Sequence, residues 1–312
     1  MSRTPRTDLV TPLASRMSPL GVLRALIVWS VAGLCVMGAA WRLRGNMPPW
    51  ALMWLLAGAI FAAAKWLTWR RACRHLGCVE FWRSVGYLFA WPGMDAVTFL
   101  NPQAPAARPA LGEWWEPAWK IMIMTGIVLL WGSGKMTPDS LAAGWIGMVG
   151  LICILHFGLF HLLSLGWQSL GIAARPLMNC PLRSHSLSDF WGRRWNAGFN
   201  NLAHEFIFRP LGKRGGITFA TLAAFLVSGV IHDLVISFPA GGGFGFPTAY
   251  FVMQGAGLLF ERSHAGRRLG LGRGFAGWLF TLIVAGSPAF WLFHPPFVTR
   301  VITPFIHFIT NL

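Results

Sequence analysis

Apolar runs separated by short polar segments dominate the chain, at about 25–41, 50–69, 118–134, 141–165, 217–238, 248–260 and 275–293, with a shorter run at 297–309. A helix needs roughly 20 mainly apolar residues to cross a bilayer. The pattern therefore predicts an all-α integral membrane protein, a polytopic bundle of seven or eight transmembrane helices forming one domain over 1–312. Two stretches do not fit simple crossings. Phe81–Leu100 is apolar but broken by Pro92 and Gly93 and followed by Pro102, Pro105 and Pro109, which predicts a re-entrant or interfacial element. In Ser186–Leu211, aromatic residues alternate with Arg193, Arg194, His204, Glu205 and Arg209, which suits a segment lying along a membrane surface.

Composition agrees with this picture. The 312 residues are 55% hydrophobic and 12% charged, too apolar for one soluble core. The net charge of +16 sits in short loops between apolar runs, which excludes nucleic acid as the natural partner and favours a bilayer surface. Positive loops tend to stay cytoplasmic. The N-terminal tail 1–20, Lys65–Arg74, Arg175–Arg214 and Arg262–Arg273 are basic, whereas 132–140 and 239–247 are nearly uncharged, so the N-terminus and the loop holding Asn196 are expected inside. Arg42 and Arg44 fall outside in that scheme, the weak point of the first hairpin. The first apolar run ends without a small-residue cleavage site, which predicts a retained helix. Five cysteines without CxxC spacing support neither a zinc site nor a disulfide framework.

Candidate chemistry concentrates in two places. His232 lies deep in an apolar run, where a titratable side chain is costly and points to function. At helical spacing it shares a face with Thr218, Thr221, Phe225 and Ser228, a weakly polar stripe that predicts a narrow central channel. A neutral imidazole there could accept a proton from an alcohol; the competing reading is a packed histidine bonded within the bundle. Asp233 follows directly, but neighbouring helix residues point about 100° apart, so it is not expected to form a dyad with His232. Asn196 can donate and accept in fixed geometry, which suits a thioester carbonyl or its oxyanion; the plainer reading is a cap or turn. Arg193, Arg194 and Arg209 could hold phosphates or serve as anchors for anionic lipid. With Trp195 and Ser228 they complete the candidate substrate-binding set, and no metal site is expected: His156 and His161 lie roughly 140° apart on one helix. Neither GxSxG nor HExxH occurs.

The blocks Ser186-Leu-Ser-Asp-Phe-Trp-Gly-Arg-Arg-Trp-Asn196, Phe225-Leu-Val-Ser-Gly-Val-Ile-His-Asp-Leu234 and Pro247–Glu261 resemble the wax synthase branch of the membrane-bound O-acyltransferases. The resemblance is convincing over Leu177–Glu261, and Trp91-Pro-Gly-Met-Asp95 is similar to a segment of bacterial relatives. It implies transfer of a fatty acyl group from acyl-CoA, as co-substrate without a further cofactor, to a lipophilic alcohol or other hydroxyl acceptor. It further implies a multi-pass protein of a bacterial inner membrane, with Asn196 and His232 as the catalytic pair. Asp233 stands where plant enzymes of that branch usually carry Glu, and Gln254 where they tend to have His, a departure that bears on the acceptor. A transporter or lipid-translocating channel would also use the polar stripe, but it leaves the Asn196 block without a role. An inactive scaffold is the third reading.

Overall fold

The computed structural model describes residues 38, 41–130 and 141–311. Most of the first predicted crossing, the end of the 118–134 run and the loop after it lie outside the described residues. The chain divides into two units, Met1–Met47 and Pro48–Leu312, and everything below concerns the second.

The regular structure of the described residues is helical throughout. In chain order, α1 is Pro49–Leu76, α2 Phe81–Ala90, α3 Ala96–Leu100, α4 Trp115–Leu130, α5 Leu141–Ser169, α6 Ala197–Ala240, α7 Phe246–Arg262, α8 Gly274–Leu292 and α9 295–310. Among them α1, α5, α6 and α8 are long and apolar enough to cross a membrane. The expected runs at 118–134, 248–260 and 297–309 are helical in their described parts, but as shorter helices. Large apolar side chains such as Leu226, Val230 and Ile283 point outward, a surface that suits lipid rather than water.

Phe81–Leu100 folds as two short helices joined by residues 91–95, and backbone carbonyls left free are met by side chains, two from other elements and one from the segment itself. Trp167 Nε1 donates to Ala90 O at 2.9 Å, Lys65 Nζ to Gly93 O at 2.7 Å, and Arg83 to Phe99 O at 3.3 Å. Lys65 is buried, with its ammonium 3.1 Å from the centroid of the Tyr87 ring. A broken helix in an apolar setting survives only with such partners. The predicted interfacial element is thus a bent segment stitched to α1 and α5.

α6 is interrupted at Gly216, whose φ of 81° and ψ of 170° are not helical. Glycine adopts that φ without the cost a Cβ would add. The break separates a basic, aromatic half before Gly216 from an apolar half that carries His232.

α7 packs along α6 through a very close crossing, where a Cβ built on Gly229 would lie 2.6 Å from Thr248 Cα. Backbone cannot yield as a flexible side chain does, so Gly229→Ala is expected to destabilise the fold by about 1–3 kcal/mol. Gly58→Ala, in α1 with nothing within 4 Å of the new methyl, should instead be neutral or slightly stabilising. Thermal unfolding of the two variants in detergent, compared with the parent chain, checks both signs.

Candidate active site

The Asn196 block begins with a double cap. Ser186 Oγ accepts from Asp189 N at 2.9 Å, while the buried carboxylate of Glu261 accepts from Leu187 N at 2.6 Å and from the Ser188 hydroxyl at 3.1 Å. A short helical turn follows, and Asp189 pairs with both arginines, Arg193 at 3.0 Å and Arg194 at 2.5 Å. Arg194 also donates to Asn179 O at 3.3 Å, and Arg193 is the more open of the two, with 78% of its side chain exposed. One carboxylate therefore offsets part of the charge that the two arginines could offer to a phosphate. Trp195 stacks on Phe190 at 5.6 Å and meets Phe157 edge-on at 6.4 Å, so its ring packs between helices.

Asn196 has left-handed backbone angles, φ 45° and ψ 62°, a conformation that asparagine tolerates better than most side chains. It caps α6, with Oδ1 accepting from Phe199 N at 3.3 Å. An N–H only donates, so the atom facing it is the oxygen and the amide is oriented. Nδ2 has no hydrogen-bond partner among the described residues and remains a donor. The cap reading and the carbonyl-holding reading are therefore compatible: the cap fixes the amide that presents the donor.

His232 ends the regular part of α6, where Asp233–Ser237 widens into a π turn. Its Nδ1 lies 2.7 Å from Ser228 O. A carbonyl can only accept, so Nδ1 carries the proton and Nε2 is left as an acceptor. Ser228 contributes through that carbonyl, since its hydroxyl donates to Ala224 O at 3.0 Å; the Thr221 hydroxyl likewise turns back to Ile217 O at 2.8 Å. The ring of His232 packs on Phe251 of α7, centroids 4.4 Å apart.

No hydrogen bond joins Asn196 to His232. The link between their segments is Trp191, which contacts Phe225 at 5.8 Å and Phe251 at 5.7 Å and donates from Nε1 to Gln254 Oε1 at 3.2 Å. Gln254 is fully buried and donates from Nε2 to Val284 O at 2.7 Å, so both ends of its amide are engaged. Its part here is to cross-link α7, α8 and the Asn196 block.

Asp233 points away from His232, as the helical angle requires. It accepts from Ser237 Oγ at 2.9 Å, Gly245 N at 2.8 Å, Thr248 N at 3.1 Å and the Thr248 hydroxyl, and so caps the start of α7. Ser237 is also 3.1 Å from Nε2 of His294, whose Nδ1 accepts from Phe297 N at 3.3 Å. Burial holds His294 below the usual histidine range, against the opposing pull of Asp233. Sequence reading did not find the roles of Ser237, His294 and Glu261. Glu261 closes one of the blocks that carry the family resemblance, which is a signal; His294 sits far along the chain beside two prolines and offers none.

The description "Membrane bound O-acyl transferase family" belongs to the family model that matches residues 174–253. Among similar proteins, the "Probable long-chain-alcohol O-fatty-acyltransferase 9" of Arabidopsis thaliana is 29% identical over 147 residues, 42% of this chain and 41% of its own. The "Long-chain-alcohol O-fatty-acyltransferase" of Simmondsia chinensis is 25% identical over 201 residues, 57% of this chain and 54% of its own. The "Acyl-CoA--sterol O-acyltransferase 1" of Arabidopsis thaliana is 34% identical over 67 residues, 19% of each chain. The matches thus span about half, or less, of these relatives. Residues 174–253, which hold both Asn196 and His232, carry the sequence pattern of the membrane bound O-acyl transferase family.

Proposed function

We propose that the chain transfers a fatty acyl group from acyl-CoA to a hydroxyl acceptor, with His232 as general base and Asn196 as the donor that holds the thioester carbonyl. The observation that carries the reading is the hydrogen bond from His232 Nδ1 to Ser228 O, which leaves Nε2 as the proton acceptor. Nε2 takes the proton of the acceptor hydroxyl as its oxygen bonds to the thioester carbon. Nδ2 of Asn196 stabilises the oxyanion that develops. The intermediate collapses by breaking the C–S bond, and the imidazolium returns the proton to the departing thiolate. No side-chain nucleophile takes part.

The membrane setting proposed is a bacterial inner membrane crossed seven or eight times around a central channel, and charge distribution supports a cytoplasmic N-terminus with the Asn196 block facing the cytoplasm. The donor then reaches the site past Arg193, Arg194, Trp195 and Arg209 and the acceptor along the face of Ser228. A long-chain alcohol fits that apolar approach, and a sterol is the second candidate; the names of the plant relatives point to both.

At matched protein levels in membranes, His232→Ala is expected to reduce acyl-CoA-dependent ester formation by at least about 100-fold, the scale of general base catalysis. Activity near the parent level would remove His232 from the mechanism. Asn196→Ala should lower turnover by about 100-fold, as loss of an oxyanion donor does. A change confined to the apparent affinity for acyl-CoA would make Asn196 a binding group instead. Both are read from labelled product separated by mass, with thermal unfolding to show that the Asn196→Ala variant is folded despite its lost cap.

A further inference from the structure

A polar cleft of about 270 Å³ lies between the end of α1, the start of α3 and the basic half of α6. Its charged and amide side chains are Arg71, Asp95, Asn201, His204, Glu205 and Arg209. Both carboxylates are engaged: Glu205 pairs with Arg71 at 2.8 Å, and Asp95 accepts from Thr98 N at 3.1 Å as the cap of α3. The side chains of Asn201, His204 and Arg209 have no hydrogen-bond or ion-pair partner among the described residues, and the His204 ring stacks on Phe208 at 5.3 Å. Asn201, His204 and Arg209 all line the cleft, and the turn His204–Phe208, which lies between Asn201 and Arg209, is widened to π geometry, which brings His204 and Arg209 nearer to one side than the roughly 140° of a regular helix. The cleft therefore offers an amide, an imidazole and a guanidinium, all able to donate, with Glu205 paired to Arg71 and the Asp95 carboxylate turned to its cap.

The same cleft adjoins the candidate active site. A Cβ on Gly198 would lie 3.2 Å from Met94 N and 3.4 Å from Gly93 Cα, so the segment that leads into α3 rests on α6 two residues past Asn196. Lys65 pins that wall through Gly93 O. Along α6, Arg209 is roughly 20 Å from Asn196 at 1.5 Å per residue. A flexible pantetheine arm covers such a span. The volume suits phosphate groups and not a whole nucleotide, which pockets of several hundred Å³ enclose.

We infer that this cleft binds the phosphate end of the thioester donor, with Arg209, His204 and Asn201 as its ligands, while Arg193 and Arg194, held by Asp189, play the lesser part. The inference rests on the acyl-transfer reading above. Anionic lipid headgroups present the same chemistry, so the test separates the two sources. The purified full chain is placed in vesicles of zwitterionic lipid and assayed with acyl-CoA and with acyl-pantetheine, which lacks the phosphates and the nucleotide. The parent should prefer acyl-CoA in kcat/KM, and Arg209→Gln should lower that preference about tenfold, the scale of one charge-assisted hydrogen bond, through KM. Arg209→Lys should keep part of it. An unchanged preference in Arg209→Gln overturns the inference, as does an effect that appears only once anionic lipid is added. Absence of ester from either donor with the parent chain would instead sink the acyl-transfer reading itself.

Discussion

The constraint on which this structure depends is that backbone polar groups exposed where a helix stops, in surroundings too apolar to supply water, must find partners inside the protein. Several breaks near the candidate site meet it with a side chain from another element. Lys65 and Trp167 donate to the carbonyls freed around Pro92 and Arg83 to Phe99 O near the end of α3, whereas Asp233 and Glu261 accept from the amides freed at the start of α7 and of the Asn196 block. These same breaks are where the chemistry-bearing groups sit. Asn196 is itself a cap, and His232 precedes a turn that has widened. Groups whose hydrogen-bonding is set by a helix end are held in one orientation, which a site for acyl transfer requires.

α7 ties the two halves of the site together. Thr248 receives the Asp233 end, Phe251 supports the His232 ring, Gln254 holds Trp191 and Glu261 caps the Asn196 block. Thr248, Phe251 and Gln254 follow one another at three-residue intervals and Glu261 lies seven residues, about two turns, further on, so the four run along one slowly drifting stripe of the helix. The small residues on the facing surfaces, Gly229 on α6 and Gly255 on α7, bring the backbones close enough for those side chains to reach. An apolar helix without this stripe would be free to rotate against its neighbours in lipid, where the hydrophobic effect gives no preferred face.

Much of this was legible in the sequence because it is local. Runs of apolar residues mark the helices, Pro92 and Gly93 mark the bent segment, and the position of His232 in an apolar run marks it as unusual. The competing local reading of Asn196 as a cap was also sound, since a cap needs only the next three residues. What could not be read depends on contacts across the chain. Nothing near Gln254 says that its amide is committed to Trp191 and Val284, so its departure from the expected histidine bears on packing before it bears on the acceptor. Nothing near Arg193 and Arg194 says that Asp189 serves both. Lys65 reads as the start of a basic helix end, although it is buried against Tyr87.

The single rod that carries both clamps has a consequence for how this site can vary. Residues along α7 can be exchanged for others that keep the contacts, but the number of residues between Thr248 and Glu261 cannot change, because one extra residue turns everything beyond it by about 100°. The helix acts as a gauge whose length sets the interval between the Asp233 and Glu261 anchor points, roughly 20 Å at the helical rise per residue. Variation that keeps both anchors has to enter through side-chain bulk where α7 packs on its neighbours, as around Trp191 and Phe251, and not through the spacing of the anchors.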